Sequence, residues 1–306
     1  MTHTATVQSH PCSARRAILR TLWYFELFQH PLTASELERF SNCPKPELGD
    51  PGEILQELVA EGVVFQFGAY FQTQNIPAWV ERRQAFNQRA DGILPTARKM
   101  AGLIGAFPFV RAVFVSGSLS KHCMAPDSDV DFFIITAPRR LWLARTLLVF
   151  FKKLFLLNSH KYFCINYFVD TEHLEIEEKN LFTATETVTL LPLYGRHWYE
   201  RFTGANAWAW AQFPNLPVRS IEQVPHGQRS FLKKTAEFIL SSPPGNWLDL
   251  LSMRFTVWYW RRKFRDMDNH TFDRALKSRR HVSKHHPLYF QKKILDAFAE
   301  RVARES

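Results

Sequence analysis

Apolar residues along this chain follow two rhythms, one of helices and one of short strands. Over 14–29 they fall at Ile18, Leu22 and Phe25, with Leu19 and Trp23 beside them, which is the spacing of one helix face. Pro31 closes that stretch, and Thr33 with Glu36 forms a capping-box pair that opens a second helix. A third helix is expected over 51–60, stopping at Gly62. The runs 63–67 and 70–73, on either side of Gly68-Ala69, read as two short strands around a turn.

The middle of the chain alternates. Residues 78–106 read as helical, with Pro95 expected to break or restart the helix. An apolar strand from 111 runs into Gly117-Ser118, and 119–125 suit one or two helical turns. Pro126 to Asp131 then leads into a second apolar strand over 132–136. Residues 141–158 are almost wholly apolar, but Arg145, Lys152 and Lys153 interrupt them at helical spacing. A membrane-spanning helix needs about 20 nearly uncharged residues. An almost fully buried amphipathic helix, its three cations on one side, is therefore expected. A strand over 162–170 follows, then a helix opened by Asn180, then helices over 229–241, 246–267 and 288–303. The pattern predicts an α/β chain of the α+β kind with a small mixed sheet. Its segments are 1–77, a helical connector 78–106, a core 107–200 and a helical C-terminal domain 201–306.

Charge sharpens this picture. The net charge of +10 is unevenly placed: residues 1–77 carry five Lys and Arg against eight acids, whereas 229–306 carry seventeen against eight. The basic tail could face nucleic acid, a nucleotide or an acidic partner, or simply water. The N-terminal order of three helices and a hairpin resembles a winged helix-turn-helix. The helix that would enter the major groove carries Glu53 and Glu57, with Glu61 just after it, and no Lys or Arg, opposite in sign to what phosphates require. Sequence-specific DNA binding is therefore not expected, and a protein-contact or packing role is. Cys12, Cys43, Cys123 and Cys164 are widely spaced and form no Cys-x-x-Cys pair, which suggests buried thiols rather than disulfides or a zinc site. The first residues lack the charged and apolar regions of a secretory signal, so a cytoplasmic protein without a membrane role is expected.

The candidate chemistry lies in the order strand, Gly-Ser, short helix, Asp-x-Asp, strand. Gly117 lets the backbone turn sharply and approach a ligand closely. The amides after it, with the Ser118 hydroxyl, can point at phosphate oxygens from a helix start. Asp129 and Asp131 share a strand face, about 6.6 Å apart along the chain. Two such carboxylates suit Mg²⁺, a hard ion that keeps phosphates in its remaining positions. Lys121 and His122 could reach phosphates or lie on a helix surface.

The run from Ser116 to Ile135 resembles the signature of the polymerase-β-type nucleotidyltransferase superfamily. That resemblance implies a nucleotidyltransferase core in which Asp129 and Asp131 hold Mg²⁺ (or Mn²⁺) and Gly117, Ser118 and Lys121 bind nucleotide. It also implies a third carboxylate from a later strand. In 162–170, Asn166 and Asp170 share a face: Asn166 stands mid-strand where the acid is expected, and Asp170 stands near the end. Either could fill the place. An amide there would weaken a second metal site, because it brings no charge and is a poor base.

Other residues attract blander readings. Glu172, Glu175, Glu177 and Glu178 are expected in a solvated edge or loop. His281, His285 and His286 are expected as surface residues of the basic tail. Trp258, Tyr259 and Trp260, followed by basic residues, could stack bases and hold phosphates, or form a core-facing aromatic stripe. The implied reaction is transfer of a nucleoside monophosphate from an NTP, ATP foremost, to a small molecule, RNA or protein. The alternative is a binding or regulatory module that keeps the fold without the chemistry.

Overall fold

A computed structural model describes residues 13–157, 161–227, 230–286 and 290–305. Cys12 and the first residues lie outside the described residues. So do the last position of the expected 141–158 helix, the first of 229–241 and the first two of 288–303.

The chain is mixed α and β, in the order α1 (Ala14–Glu26), β1 (Leu32–Thr33), α2 (Ala34–Phe40), α3 (Lys45–Leu48), α4 (Pro51–Ala60), β2 (Phe65–Phe67), β3 (Tyr70–Gln72) and α5 (Ala78–Gly105). Then come β4 (Val110–Ser116), α6 (Gly117–Ser120), β5 (Asp131–Thr136), α7 (Leu141–Phe155), β6 (Cys164–Asp170), α8 (Leu181–Thr189), β7 (Leu191–Tyr194), α9 (Arg196–Ala205) and α10 (Ala207–Trp210). The chain finishes with α11 (Phe231–Leu240), α12 (Pro243–Lys263), α13 (Asn269–Ala275), β8 (Ser278–Arg279), β9 (Val282–Lys284) and α14 (Phe290–Glu305). It forms two compact units. One gathers 1–84, 208–217 and 294–306; the other gathers 85–207 and 218–293. This division differs from the four consecutive segments expected, because both C-terminal stretches return to earlier parts of the chain.

In the first unit, α1, α2 and α4 bury Ile18, Leu22, Leu37, Leu55 and Leu58. Thr33 and Glu36 form the reciprocal cap foreseen from their spacing. A three-stranded antiparallel sheet in the order β1-β3-β2 closes the unit, burying Phe71. The outer side of α4 carries Glu53 and Glu57, and Glu61 at its end pairs with Arg15.

The second unit is built on a six-stranded mixed sheet in the order β7-β4-β5-β6-β9-β8. β4 and β5 are antiparallel neighbours, while β6 lies parallel to β5 and is reached through α7. Both faces are covered, which explains the nearly unbroken apolar runs. Val113, Val115, Phe132 and Ile134 pack with Ala97, Ala101 and Ile104 of α5 and with Trp142 and Leu148 of α7. On the other face, Phe114 and Phe133 meet Tyr199 and Phe202 of α9 at ring-centroid distances of 5.3 Å for Phe114–Tyr199 and for Phe133–Phe202.

Three expectations are corrected. Pro95 neither breaks nor restarts its helix: α5 is continuous through it. Pro95 removes one backbone bond, and buried Ala90, Ala97, Ala101 and Ile104 hold the turns around it against the core. The expected 246–267 helix is α12, which starts at Pro243 and ends at Lys263, and α13 and the hairpin β8–β9, unseen in the pattern, follow it, the hairpin extending the sheet beside β6. The cations of α7 do not share one solvated side. Lys152 is buried, and the Arg145 guanidinium lies 4.7 Å from the Trp260 ring centroid, while Lys153 is exposed. Among the described residues no helix is long and apolar enough to cross a membrane.

Candidate active site

The sheet register decides which predicted residues meet. Antiparallel pairing sets Ser116, the last residue of β4, opposite Asp131, the first of β5. Gly117 follows with φ +69°, a left-handed conformation that an L side chain adopts only with strain. A Cβ there would stand 2.8 Å from Asp131 Oδ2. Only glycine therefore lets the turn close against the carboxylate. Gly117 also starts α6, whose N-cap Ser116 makes no side-chain cap bond.

Asp129 lies just before β5. The backbone of Val130 bonds to the segment that leads into β6 and to the start of β6: its N–H donates to Lys161 O at 2.9 Å and its carbonyl accepts from Cys164 N at 3.2 Å. Val130 is wholly buried, and Asp129 and Asp131 flank it half-buried. Extended backbone alternates its side chains, so the two acids share the face opposite Val130.

Of the two β6 residues singled out in the sequence, Asn166 is the one that meets Asp131. Its Nδ2 donates to Asp131 Oδ1 at 2.5 Å, and its Oδ1 accepts from the Cys164 thiol at 3.2 Å. Asp170 is not brought to this group. Parallel register sets Cys164 beside Asp131 and Asp170 beside Thr136, at the far end of β5. Five residues of strand put it roughly 16 Å along the sheet. Its carboxylate is engaged locally, with Oδ1 accepting from Glu172 N and His173 N and lying 2.7 Å from His173 Nδ1.

Two further residues complete the group. Lys121 Nζ donates to Gly117 O at 3.1 Å and to Glu186 Oε1 at 2.7 Å. The ammonium thus ties the turn to α8 and is held by a carboxylate. His122, also raised as a phosphate contact, is exposed and lies 2.7 Å from Asp91 Oδ1. Ser118 is half-buried, its hydroxyl 3.8 Å from Met124 Sδ. Glu186 was not singled out in the sequence. It is the single charged residue of α8, and a lone acid among Thr and Ala was the signal that could have found it.

Charge is concentrated here without full compensation. Burial pushes the Asp131 carboxyl up from 3.8 to about 7. The Cys164 thiol opposes the shift, Asp129 and Glu186 add to it, and Lys121 partly offsets it. Burial, with Asp131 and Asp129 nearby, pushes the Cys164 thiol up to about 12, so it is a neutral donor. Two hard oxygen donors on one face, with a third acid close enough to be felt, fit a divalent cation such as Mg²⁺, which binds through one or two carboxylates plus phosphates. Among the described residues, no group of three or more His, Cys, Asp or Glu is placed to hold a metal ion.

Elsewhere the histidine expectation is corrected. The His285 ring lies 4.9 Å from Trp260, and burial pushes it down to about 3; His286 is pushed down to about 4. Both are neutral packed side chains. A cavity of about 430 Å³ lies toward the Asp170 end of β6, lined by Tyr167, Thr171, His173, Glu177, Lys277 and His281 among others. It is not at the Gly117–Asp131 turn. Glu177 is not simply solvated there: it bonds Lys277 at 2.6 Å.

No protein-family model, curated protein or solved structure matches this chain.

Proposed function

We propose that the second unit is a nucleotidyltransferase core that moves a nucleoside monophosphate from an NTP, ATP foremost, to an acceptor and releases pyrophosphate. One observation carries the reading: a left-handed Gly117 turn closed against Asp131, with Asp129 on the same face. In this reading Asp129 and Asp131 hold Mg²⁺ or Mn²⁺, and the Gly117-Ser118 turn offers backbone and hydroxyl donors to phosphate oxygens. The metal would supply positive charge that offsets the charge developing on phosphoryl oxygen. Lys121 positions the turn and Glu186; it is not a free phosphate contact in this arrangement. The first unit resembles a winged helix whose α4 is acidic, which suits a protein contact better than DNA.

A second reading rests on Asn166. Its amide occupies the side of Asp131 where the resemblance implies a third acid. A core of this kind would bind nucleotide as a sensor or scaffold without efficient turnover. The two readings separate when the purified chain is incubated with each α-labelled NTP, Mg²⁺ or Mn²⁺ and a cell extract. Label on a new species, lost in Asp131→Asn, supports transfer. Nucleotide binding without a labelled product supports the second reading, and transfer surviving Asp131→Asn refutes the mechanism.

A further inference from the structure

Two helices of the second unit face the wrong way for a protein that meets only water. The inner side of α11 carries Lys233 and Glu237. Lys233 Nζ donates to Gly105 O at 2.6 Å and to Val110 O at 2.7 Å. Glu237 Oε1 accepts from Phe109 N and from Arg111 Nη1, each at 2.7 Å. These anchors fix the rotation of the helix and leave Phe231, Leu232, Phe238 and Ile239 between 62% and 83% exposed.

α12 repeats the inversion. It buries Gly245, Asp249, Thr256 and Trp260, and Asp249 Oδ1 accepts from Leu143 N at 2.9 Å near the start of α7. Its outward stripe is Trp247, Leu251, Phe255 and Trp258, at helical spacings of four, four and three. α7, which packs on α12, also exposes Phe150 and Leu154. Monomers in water rarely expose apolar surface on this scale without a use for it.

Charge selects the occupant. The exposed cations of α11, α12 and the turn after them are Lys234, Arg254, Arg261, Arg262, Lys263 and Arg265. The acids of the two helices are Glu237 and Asp249, both turned inward, and the first exposed acid is Asp266, beside Arg265. A twofold contact between copies of this face would set these cations against their own equivalents. An anionic bilayer offers the opposite sign to the cations and an apolar layer to the ring side chains. Trp in particular favours the headgroup level.

We infer that the α11–α12 face docks on anionic lipid bilayers, holding the protein at a membrane surface without spanning it. This is independent of the chemistry proposed for the Gly117–Asp131 turn. It also replaces the expectation of no membrane role, since a surface contact needs no apolar helix of spanning length.

The test is co-flotation of the full chain with phosphatidylcholine vesicles, with and without phosphatidylglycerol. Binding is expected with the anionic lipid and should weaken at high salt. Arg254→Gln/Arg262→Gln should weaken it about twenty-five-fold, at about fivefold per cation near the surface. Phe238→Ser/Trp247→Ser/Trp258→Ser should abolish it, and the melting temperature should be unchanged because all three side chains point outward. Absence of flotation, or flotation unaffected by the triple variant, overturns the inference. A dimer in solution that the triple variant dissolves, without lipid binding, would assign the face to a second copy and overturn it too.

Discussion

Asp131 gives the sharpest prediction, because its environment penalises the charge that the proposed function needs. Its carboxyl is raised from 3.8 to about 7, chiefly by burial. Between these values the folded chain keeps a proton that the unfolded chain has released. The unfolded state then binds fewer protons, so stability falls as pH rises. The penalty begins near pH 4 and is complete somewhat above pH 7. The full displacement corresponds to about 4 kcal/mol at 1.36 kcal/mol for each tenfold change. Asp131 is half-buried, and its access to water reduces the expected size to about 1–3 kcal/mol. Asn has nearly the same shape, carries no charge, and its carbonyl can still accept from Asn166 Nδ2.

Asp131→Asn should therefore match the wild type near pH 4 and exceed its stability at about pH 8 by about 1–3 kcal/mol. In a thermal melt this is a rise of about 2–8 °C for a chain of this size. Denaturant titrations of both proteins at the two pH values measure the difference directly. A variant equal to or less stable than wild type at the higher pH would refute the reasoning. So would a gap of the same size at both pH values, since that would mean packing rather than charge. A substitution that strengthens the fold while removing function is what a site strained for chemistry would show.

Gly117→Ala should lose about 1–3 kcal/mol in the same titration, from left-handed strain and from displacing the Asp131 oxygen 2.8 Å away. In an Asp131→Ala background the Gly117→Ala cost should shrink, because the Asp131 oxygen that a Cβ would displace is gone. Glu237→Ala should cost about 3–5 kcal/mol, since Arg111 and the Phe109 amide lose their buried partner. Phe238→Ser, one residue along and exposed, should stay within about 0.5 kcal/mol. Urea unfolding that found equal costs for these neighbours would refute the inverted placement of α11.

The sequence by itself determined the local elements of this protein. Helical spacing in 14–29, the Thr33–Glu36 cap and the strand–Gly-Ser–Asp-x-Asp order depend on residues within a few positions of one another, and local sterics suffice to shape them. The coarse α and β mixture follows from the same periods. What lay beyond reach involved partners distant in the chain. Asn166 and Asp170 share a strand face, and the parallel register against β5 alone decided that Asn166 meets Asp131 while Asp170 lies at the other end. Glu186 joins the group across 65 positions through Lys121. The hairpin of β8 and β9 is too short to show a period, and exists as strand because β6 leaves an edge open to it. For α11 the periodic pattern locates the helix but not the side that turns inward, because the rule that apolar faces are buried assumes a polar face without inner partners. Phe109, Val110 and Gly105 supply those partners through backbone groups that no composition can reveal. Tertiary structure decided, in each case, which of two chemically reasonable faces would meet the rest of the molecule.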